Sequence, residues 1–299
     1  MISFLERTIL LFGILLFAVV SCTERIDIKT DDAAPRLVIY GYISTDTALV
    51  RITKSAGYFT TESPQIVSGA EVTVTDSDGG VITLAEIEPG SGQYLNDSGA
   101  YGEEGKTYTL DVYFDDNGNR VHYQSEKAYL QHIHQIDSIG LRASRVFRET
   151  VEVLLYAWNF GENNNYALFV AINDSVVNRT VNRFFVINDT FFRGQHYIDG
   201  VECYFLNQNP DSEYRNEVLN IGDKVTLNIN AISHEYATFI SNVQSEIRGS
   251  NPIFGGPPAN VPTNIRRISA NGYPALGFFT AYPSRYAHKT VTEEFTFRN

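Results

Sequence analysis

The chain has 299 residues, a formal net charge of −12 at pH 7 and two cysteines, Cys22 and Cys203. This acidity argues against a nucleic-acid partner, because nucleic-acid-binding proteins present clustered Lys and Arg to the phosphates. We expect no internal disulfide, since Cys203 is the only cysteine of the mature chain besides Cys22, which we predict to be acylated. Stability must then come from a buried core, for which a hydrophobic content of 43% is sufficient.

The N-terminus predicts a lipoprotein signal peptide. Residues 9–20 are all apolar or glycine, a run typical of a signal-peptide core and shorter than the ~20 residues of a membrane-spanning helix. The small residue Ser21 precedes Cys22, as lipid-modifying signal peptidases require. We predict cleavage after residue 21, acylation of Cys22 by chains such as palmitate, and a tether over residues 22–35. An ordinary signal peptide and a buried N-terminal helix are the alternatives.

The first half of the mature chain predicts a β-sandwich. Short segments alternate apolar and polar residues and are separated by turns rich in Asp and Gly, which is the pattern of sandwich strands. The predicted strands are residues 37–43, 72–75 and 107–113, with turns at 76–80 and 115–119. We assign this domain to residues 36–125.

Residues 126–299 predict a second β-rich domain that contains one helix. Its predicted strands are residues 151–158, 166–172, 183–187, 224–232 and a last strand at 290–297. Residues 233–248 predict an amphipathic helix, with Ser233 as its N-cap and Gly249 at its end. The apolar face of this helix consists of Tyr236, Phe239, Ile240, Val243 and Ile247. The proline-rich stretch 251–262 is incompatible with a helix or a central strand.

The chain contains no evident catalytic or cofactor motif, so we predict no catalytic residue, no cofactor and no metal, and expect a protein that is not an enzyme. His132 and His134 would share one face of a strand, with His122 nearby, but a zinc site needs further ligands. The two Asp-Gly turns lack the ligand spacing of a calcium loop, and tight turns favour the same residues. Catalytic residues dispersed along the chain would leave no motif, which keeps an envelope hydrolase as a third-ranked alternative.

The strongest candidate binding surface is the aromatic-rich stretch 179–195. Two Phe pairs flank a turn and are interleaved with arginines, so a projecting hairpin would present rings and guanidinium groups to a protein or a sugar. Alternatively, the Phe side chains pack into the core, and one of each adjacent pair faces outward because strand side chains alternate. The residues of this predicted surface are Phe184, Phe185, Asp189, Phe191, Phe192 and Arg193.

Several segments, taken together and in order, resemble the Bacteroidota lipoprotein family known as domain of unknown function 4249. The resemblance runs from Cys22 nearly to the end of the chain. In the first half it rests on ERIDI at 24–28, LVIYG at 37–41 and PQIVSGAEVTV at 64–74. In the second half it rests on the predicted helix and on FGENNNY at 160–166, NDTFFRGQ at 188–195, NVPTNI at 260–265 and ALGFF at 275–279.

This resemblance implies an outer-membrane lipoprotein with an immunoglobulin-like front sandwich, of a kind often encoded beside TonB-dependent transporters. It implies no catalytic residues. We therefore expect a non-enzymatic accessory or ligand-binding component of a TonB-dependent transport system, with the membrane and the transporter as partners. A surface adhesin or glycan-binding module is the alternative. After the cysteine, the sequence TER at 23–25 supplies only one acid, followed by a base. The sequence therefore does not decide whether the protein faces the cell exterior or the periplasm.

Overall fold

The fold is described from a computed structural model over residues 35–56, 63–96, 98–116, 118–158, 164–192, 196–249, 261–269 and 272–297. Cys22, Arg193 and most of the proline-rich stretch lie outside these ranges. The described residues form eighteen strands and one α-helix, all in the unit that begins at Pro35. The predicted mainly β fold with one helix is therefore confirmed. No helix in the described ranges is long and apolar enough to cross a bilayer.

The first eight strands are β1 (Leu37–Ser44), β2 (Ala48–Lys54), β3 (Glu71–Asp76), β4 (Val81–Glu86), β5 (Gln93–Leu95), β6 (Thr107–Asp116), β7 (Asn119–Ser125) and β8 (Ala128–Tyr129). The others are β9 (Ile136–Ala143), β10 (Thr150–Trp158), β11 (Asn165–Ile172), β12 (Ser175–Val176), β13 (Phe185–Asn188), β14 (Tyr197–Asn207), β15 (Lys224–Ile232), β16 (Ile265–Arg267), β17 (Leu276–Tyr282) and β18 (Ser284–Thr290). Helix α1 spans His234–Gly249, and short 3-10 turns lie at Val181–Arg183, Asp189–Phe192 and Arg215–Glu217.

The front sheet joins ten strands in the order β16-β7-β6-β3-β4-β5-β2-β1-β17, with β8 paired to β6. Strand β4 pairs with β3 through its first residues and with β5 through its last two, so the sheet turns a corner there. Alternate residues, such as Ile39 and Ile43 of β1 and Leu110 and Val112 of β6, are fully buried in one core. The front sheet thus forms a sandwich around its own core, in agreement with the predicted sandwich.

Two strands from the C-terminal part of the chain complete the front sheet. Strand β16 pairs antiparallel with β7, and β17 pairs parallel with β1 from Val38–Leu276 to Ser44–Tyr282. Phe279 of β17 is fully buried in the front core. The range 126–299, assigned from the sequence to a second domain, therefore contributes three strands, β8, β16 and β17, to the front sheet. Periodicity reports which face of a strand is buried but not which strand lies beside it.

The remaining strands form a second sandwich. The middle sheet runs β12-β11-β15-β18, with β13 also paired to β11, and the small sheet runs β14-β10-β9. Leu168 of β11, Leu227 of β15 and Val153 of β10 are fully buried between the two sheets. The alternate residues of β11 and β15 point to the opposite face of the middle sheet. That opposite face is available to pack against other elements.

Helix α1 packs against the opposite face of the middle sheet and against the front sheet. The hydroxyl of Ser233 accepts the Tyr236 N–H at 3.1 Å, which confirms the predicted N-cap. Tyr236, Phe239 and Ile240 are buried, as the predicted apolar face requires. The hydroxyls of Tyr236 and Tyr40 of β1 are hydrogen-bonded at 2.5 Å. Helix, front sheet and middle sheet therefore share one apolar cluster.

Two predictions are wrong near the ends of elements. Ile247 was predicted on the buried face of the helix but is 45% exposed, because the apolar cluster under the helix reaches only as far as Val243. The last strand was predicted at 290–297, whereas β18 ends at Thr290. Thr290 pairs with Lys224, the first residue of β15, so the ladder has no further partner beyond it.

Candidate functional site

An open face lies beside α1, where the front and middle sheets meet. Strands β17 and β18 are separated only by Pro283, so the chain passes directly from one sheet into the other. Tyr42 of β1 alternates with core residues and points to this face. On the middle sheet, Tyr286 of β18 pairs with Asn228 of β15, which pairs in turn with Phe169 of β11. The two sheets therefore present a continuous row of side chains.

Part of this face forms a groove with a volume of about 350 Å³. This volume lies at the lower end of the range of small-molecule sites, ~300–1,000 Å³. We call it the tyrosine groove and define it by Tyr42, Asp46, Phe169, Arg179, Phe184, Asn228, Tyr282 and Tyr286.

Aromatic rings form the walls of the tyrosine groove. Tyr42 and Tyr282 are stacked, with ring centroids 5.3 Å apart. Phe169 and Phe184 meet edge to face, with centroids 4.8 Å apart. Tyr286 is 52% exposed. The groove therefore offers both faces and edges of aromatic rings to a ligand.

Asp46 places a carboxylate on the β18 side of the groove. The Tyr286 hydroxyl donates to its Oδ2, and the Ser44 hydroxyl donates to its Oδ1 at 2.5 Å. Burial raises the pKa of Tyr286, and the hydrogen bond to Asp46 raises it further. Burial also raises the pKa of Tyr42, and Asp46 adds to the rise. Both phenols therefore stay protonated at neutral pH, so Tyr286 donates to Asp46 and the Tyr42 hydroxyl can donate to a ligand.

Asn228 presents an oriented amide group to the groove. Asn230, only 3% exposed, donates its Nδ2 to Oδ1 of Asn228 at 2.5 Å. The Oδ1 of Asn230 accepts the Ser284 hydroxyl at 2.8 Å, and its Nδ2 also donates to the Ala167 carbonyl at 3.4 Å. These contacts fix Asn230 and, through it, Asn228. Among the described residues no group accepts a hydrogen bond from Nδ2 of Asn228, so this amide can donate to a ligand.

Other polar groups of the groove are also without protein partners. Arg179 is exposed, and no carboxylate within the described ranges lies at ion-pair distance from it. The hydroxyls of Tyr42 and Tyr282 likewise have no hydrogen-bond partner in the part of the chain that the structure describes. The groove thus combines aromatic walls with several unsatisfied donors and one carboxylate.

Residues 179–192, the described part of the predicted hairpin, do not form one. Residues Val181–Arg183 make a 3-10 turn, so β13 begins only at Phe185, and it pairs with β11. After a second 3-10 turn at Asp189–Phe192 the chain enters the small sheet as β14. Strand β13 thus pairs with β11, which precedes it in the chain. A hairpin would instead require β13 to pair with the segment directly after it. Phe184, directly before β13, lines the tyrosine groove.

The structure separates the other residues of the predicted surface. Phe185 is partly buried against the second core, whereas Phe192 is 1% exposed. Phe191 is 38% exposed, and Asp189 begins the 3-10 turn with its side chain partly buried. Arg193 lies outside the described residues. Phe191 therefore fits the predicted exposed surface, whereas Phe185 and Phe192 fit the alternative in which the Phe side chains pack into the core.

The histidines that were considered as metal ligands lie in ordinary polar contacts. His132 and His134 occupy a loop between β8 and β9 instead of a strand. Nδ1 of His132 lies 3.1 Å from Glu104, and Nε2 of His122 lies 2.7 Å from Asp111. The described ranges contain no group of three His, Cys, Asp or Glu residues that could hold a metal ion.

The first Asp-Gly turn is held by backbone and lysine donors. The Asp76 carboxylate accepts the N–H groups of Asp78 and Gly80 at 2.9 and 2.7 Å. The Lys106 ammonium lies 3.2 Å from the carboxylates of both Asp76 and Asp78. These donors occupy positions that a calcium ion would need, which favours the tight-turn interpretation.

Described residues also line two other cavities, whose chemistry is less distinctive. One of about 700 Å³ lies beside the first turn of α1 and is lined by His234 and Phe278, among others. An open cleft of about 660 Å³ contains Arg183 and Glu217, which are already paired with each other. The tyrosine groove differs because the donors of Asn228 and Arg179 have no protein partner among the described residues, and it is our candidate site.

Among the groove residues, the predicted binding stretch 179–195 includes Arg179 and Phe184. Tyr42, Phe169 and Asn228 lie in predicted strands, but alternation does not predict which strands become neighbours. No element was predicted at Asp46, Tyr282 or Tyr286. One usable signal was overlooked. The face of β15 that points away from the second core carries Thr226, Asn228 and Asn230, and Asn is depleted in strands, so two Asn residues on one face indicate a functional or structural demand.

The fold and the groove define a mainly β protein in which two sandwiches share an open, aromatic-lined face. The chain belongs to the family described as Domain of unknown function (DUF4249), whose model matches residues 23–286. The family resemblance seen in the sequence is thereby confirmed. A search of curated proteins gave no match. Because the family match covers both sandwiches, the groove lies wholly within the family's domain.

Proposed function

We propose that this protein is a lipid-anchored, non-enzymatic binding component of the outer membrane that serves a TonB-dependent transport system. The observation that supports the binding role is the tyrosine groove. Its apolar walls and its few oriented polar groups match the usual make-up of a small-molecule site. The amide of Asn228 supports this role further, since its Nδ2 has no protein acceptor among the described residues and can donate to a bound ligand.

The leader sequence predicts the lipid anchor. The anchor limits how far Pro35, where the described fold begins, can lie from the bilayer. With a lipid on Cys22, residues 22–35 would connect the membrane to the fold that begins at Pro35. Fully extended, a tether of this length reaches about 50 Å. With Pro35 held within that distance of the bilayer, the groove could deliver its ligand to a transporter in the same membrane.

The transport role is tested by a mild-detergent pull-down of the tagged protein from its native outer membrane, followed by mass spectrometry. We expect a TonB-dependent transporter in stoichiometric amount. The matched control is Cys22→Ala, which should lose the mass of the acyl chains and leave the membrane fraction. Recovery of the acylated wild-type protein alone, under gentle extraction, would contradict the transport role.

The second candidate function is a surface adhesin or glycan-binding module. It is favoured by the aromatic walls of the groove, and it differs from the first in needing no transporter. A pull-down without a transporter, combined with binding of whole cells or glycans by the purified protein, would select this candidate.

A further inference from the structure

We infer that the tyrosine groove binds a saccharide. This inference rests on the proposed function in one respect only, namely that the groove is a ligand site. It names the chemical class of the ligand, and it holds whether the protein works with a transporter or alone.

The arrangement of the aromatic rings suits a saccharide. A pyranose ring carries C–H groups on its faces, which pack well on the electron-rich face of an aromatic ring. Tyr286 is 52% exposed, and the stacked rings of Tyr42 and Tyr282 lie in the same groove. A sugar could therefore contact several rings at once without any rearrangement of the two sheets.

The polar groups between the rings also suit a saccharide. Sugar hydroxyls both donate and accept hydrogen bonds, and the groove offers donors from Asn228 and Arg179 and a carboxylate acceptor from Asp46. A purely apolar ligand would bury these groups without partners, which costs free energy. The positioned amide of Asn228 sits in register between Phe169 and Tyr286, so it can reach a ligand that stacks on either ring.

The charge of the groove argues against a phosphorylated ligand. Arg179 is its one cationic side chain among the described residues, and Asp46 contributes an opposing carboxylate. Phosphate sites usually combine several Arg, Lys or backbone N–H donors. The volume of about 350 Å³ suits a short saccharide or the end of a longer chain.

The test uses the full mature, acylated protein in detergent micelles on an array of neutral and uronic-acid-containing oligosaccharides, with titration calorimetry of each hit. We expect at least one saccharide class to bind. Asn228→Asp should weaken binding by about tenfold or more, because it replaces the amide donor with a charged acceptor while keeping an oxygen for Asn230. Tyr286→Ala should have an effect of similar size, and Tyr286→Phe should keep most of the affinity.

The matched control is Tyr129→Ala, which removes a tyrosine of nearly the same exposure, 51% against 52%, outside the groove. It should leave the affinity unchanged. Hydroxyl-radical footprinting of the wild-type protein gives a readout that does not depend on the folding of any variant. The bound saccharide should protect Tyr42 and Tyr286 and leave Tyr129 equally oxidised.

An array with no bound saccharide would overturn this inference, and so would saccharide binding without protection of the groove tyrosines. The proposed transport role fails on a different result, which is a pull-down without a transporter. Transporter capture with an empty array leaves the transport role standing and removes the saccharide. Saccharide binding without a transporter leaves the saccharide inference standing and removes the transport role.

Discussion

At the scale of single residues, Cys203 illustrates how burial sets chemistry. Its thiol is buried in the second core and donates to the Val153 carbonyl at 3.3 Å. Burial raises the pKa of the thiol to about 12, so the reactive thiolate is scarce at neutral pH. In the Cys22→Ala variant, where Cys203 is the remaining thiol, we expect no reaction with Ellman's reagent in the native state and full reaction in concentrated guanidinium chloride. Rapid modification of the native protein would contradict the buried position.

The Asp76 turn gives a pH-dependent prediction at the same scale. Hydrogen bonds from the Gly80 N–H and the Lys106 ammonium hold the pKa of Asp76 below its ordinary value of 3.8. A carboxylate with a lowered folded-state pKa contributes stability above its unfolded pKa, and this contribution is lost as the pH falls through the folded pKa. Asp76→Asn should therefore lower Tm at pH 7, with a difference from wild type that shrinks in acid. Asp78→Asn is the control and should change Tm less, because Asp78 is 70% exposed.

At the scale of elements, Gly277 controls how β17 lies against β1. Its φ is +100°, and an added Cβ would overlap the carbonyl oxygen of Ile39. Gly222, with a φ of +95° and open space around it, is a matched control. We expect Gly222→Ala to cost about 1 kcal/mol from backbone strain alone, and Gly277→Ala to cost on the order of 3 kcal/mol because steric overlap is added. Urea unfolding would measure both, and equal costs would contradict the close approach of β17 to β1.

The elements also show what the sequence could and could not predict. Strand β15 and helix α1 were predicted to within one residue, because their apolar periodicity and the Ser233 cap are local signals. The pairing of β17 with β1 and the meeting of Tyr42 with Tyr286 in one groove were not predicted, because neither is encoded in local alternation. Some groove residues, such as Tyr42 and Asn228, were thus predicted as strand residues, and their common site was visible only in the fold.

At the scale of the whole molecule, the front sandwich depends on the C-terminal strands. Ile265, Ala275, Phe279 and Ala281 all belong to its core, and removal of a buried Phe side chain alone typically costs ~3–5 kcal/mol. A fragment of residues 36–125 lacks all four and leaves β1 with an open edge. Because a domain is typically stable by only ~5–15 kcal/mol, we expect this fragment to show no cooperative thermal transition, whereas the mature chain should show one. A sharp transition of the fragment would establish it as an independent domain.

The parallel pairing of β1 with β17 also has a kinetic consequence. Arg36, just before β1, hydrogen-bonds the Pro274 carbonyl just before β17, across 238 residues of sequence. A nascent chain presents β1 early and its neighbour almost last, so the front sandwich closes late and with high contact order. Until then the edge of β1 offers unpaired backbone groups to other chains, as exposed strand edges do. Slow refolding and aggregation of interrupted chains should therefore be the characteristic ways in which this protein fails.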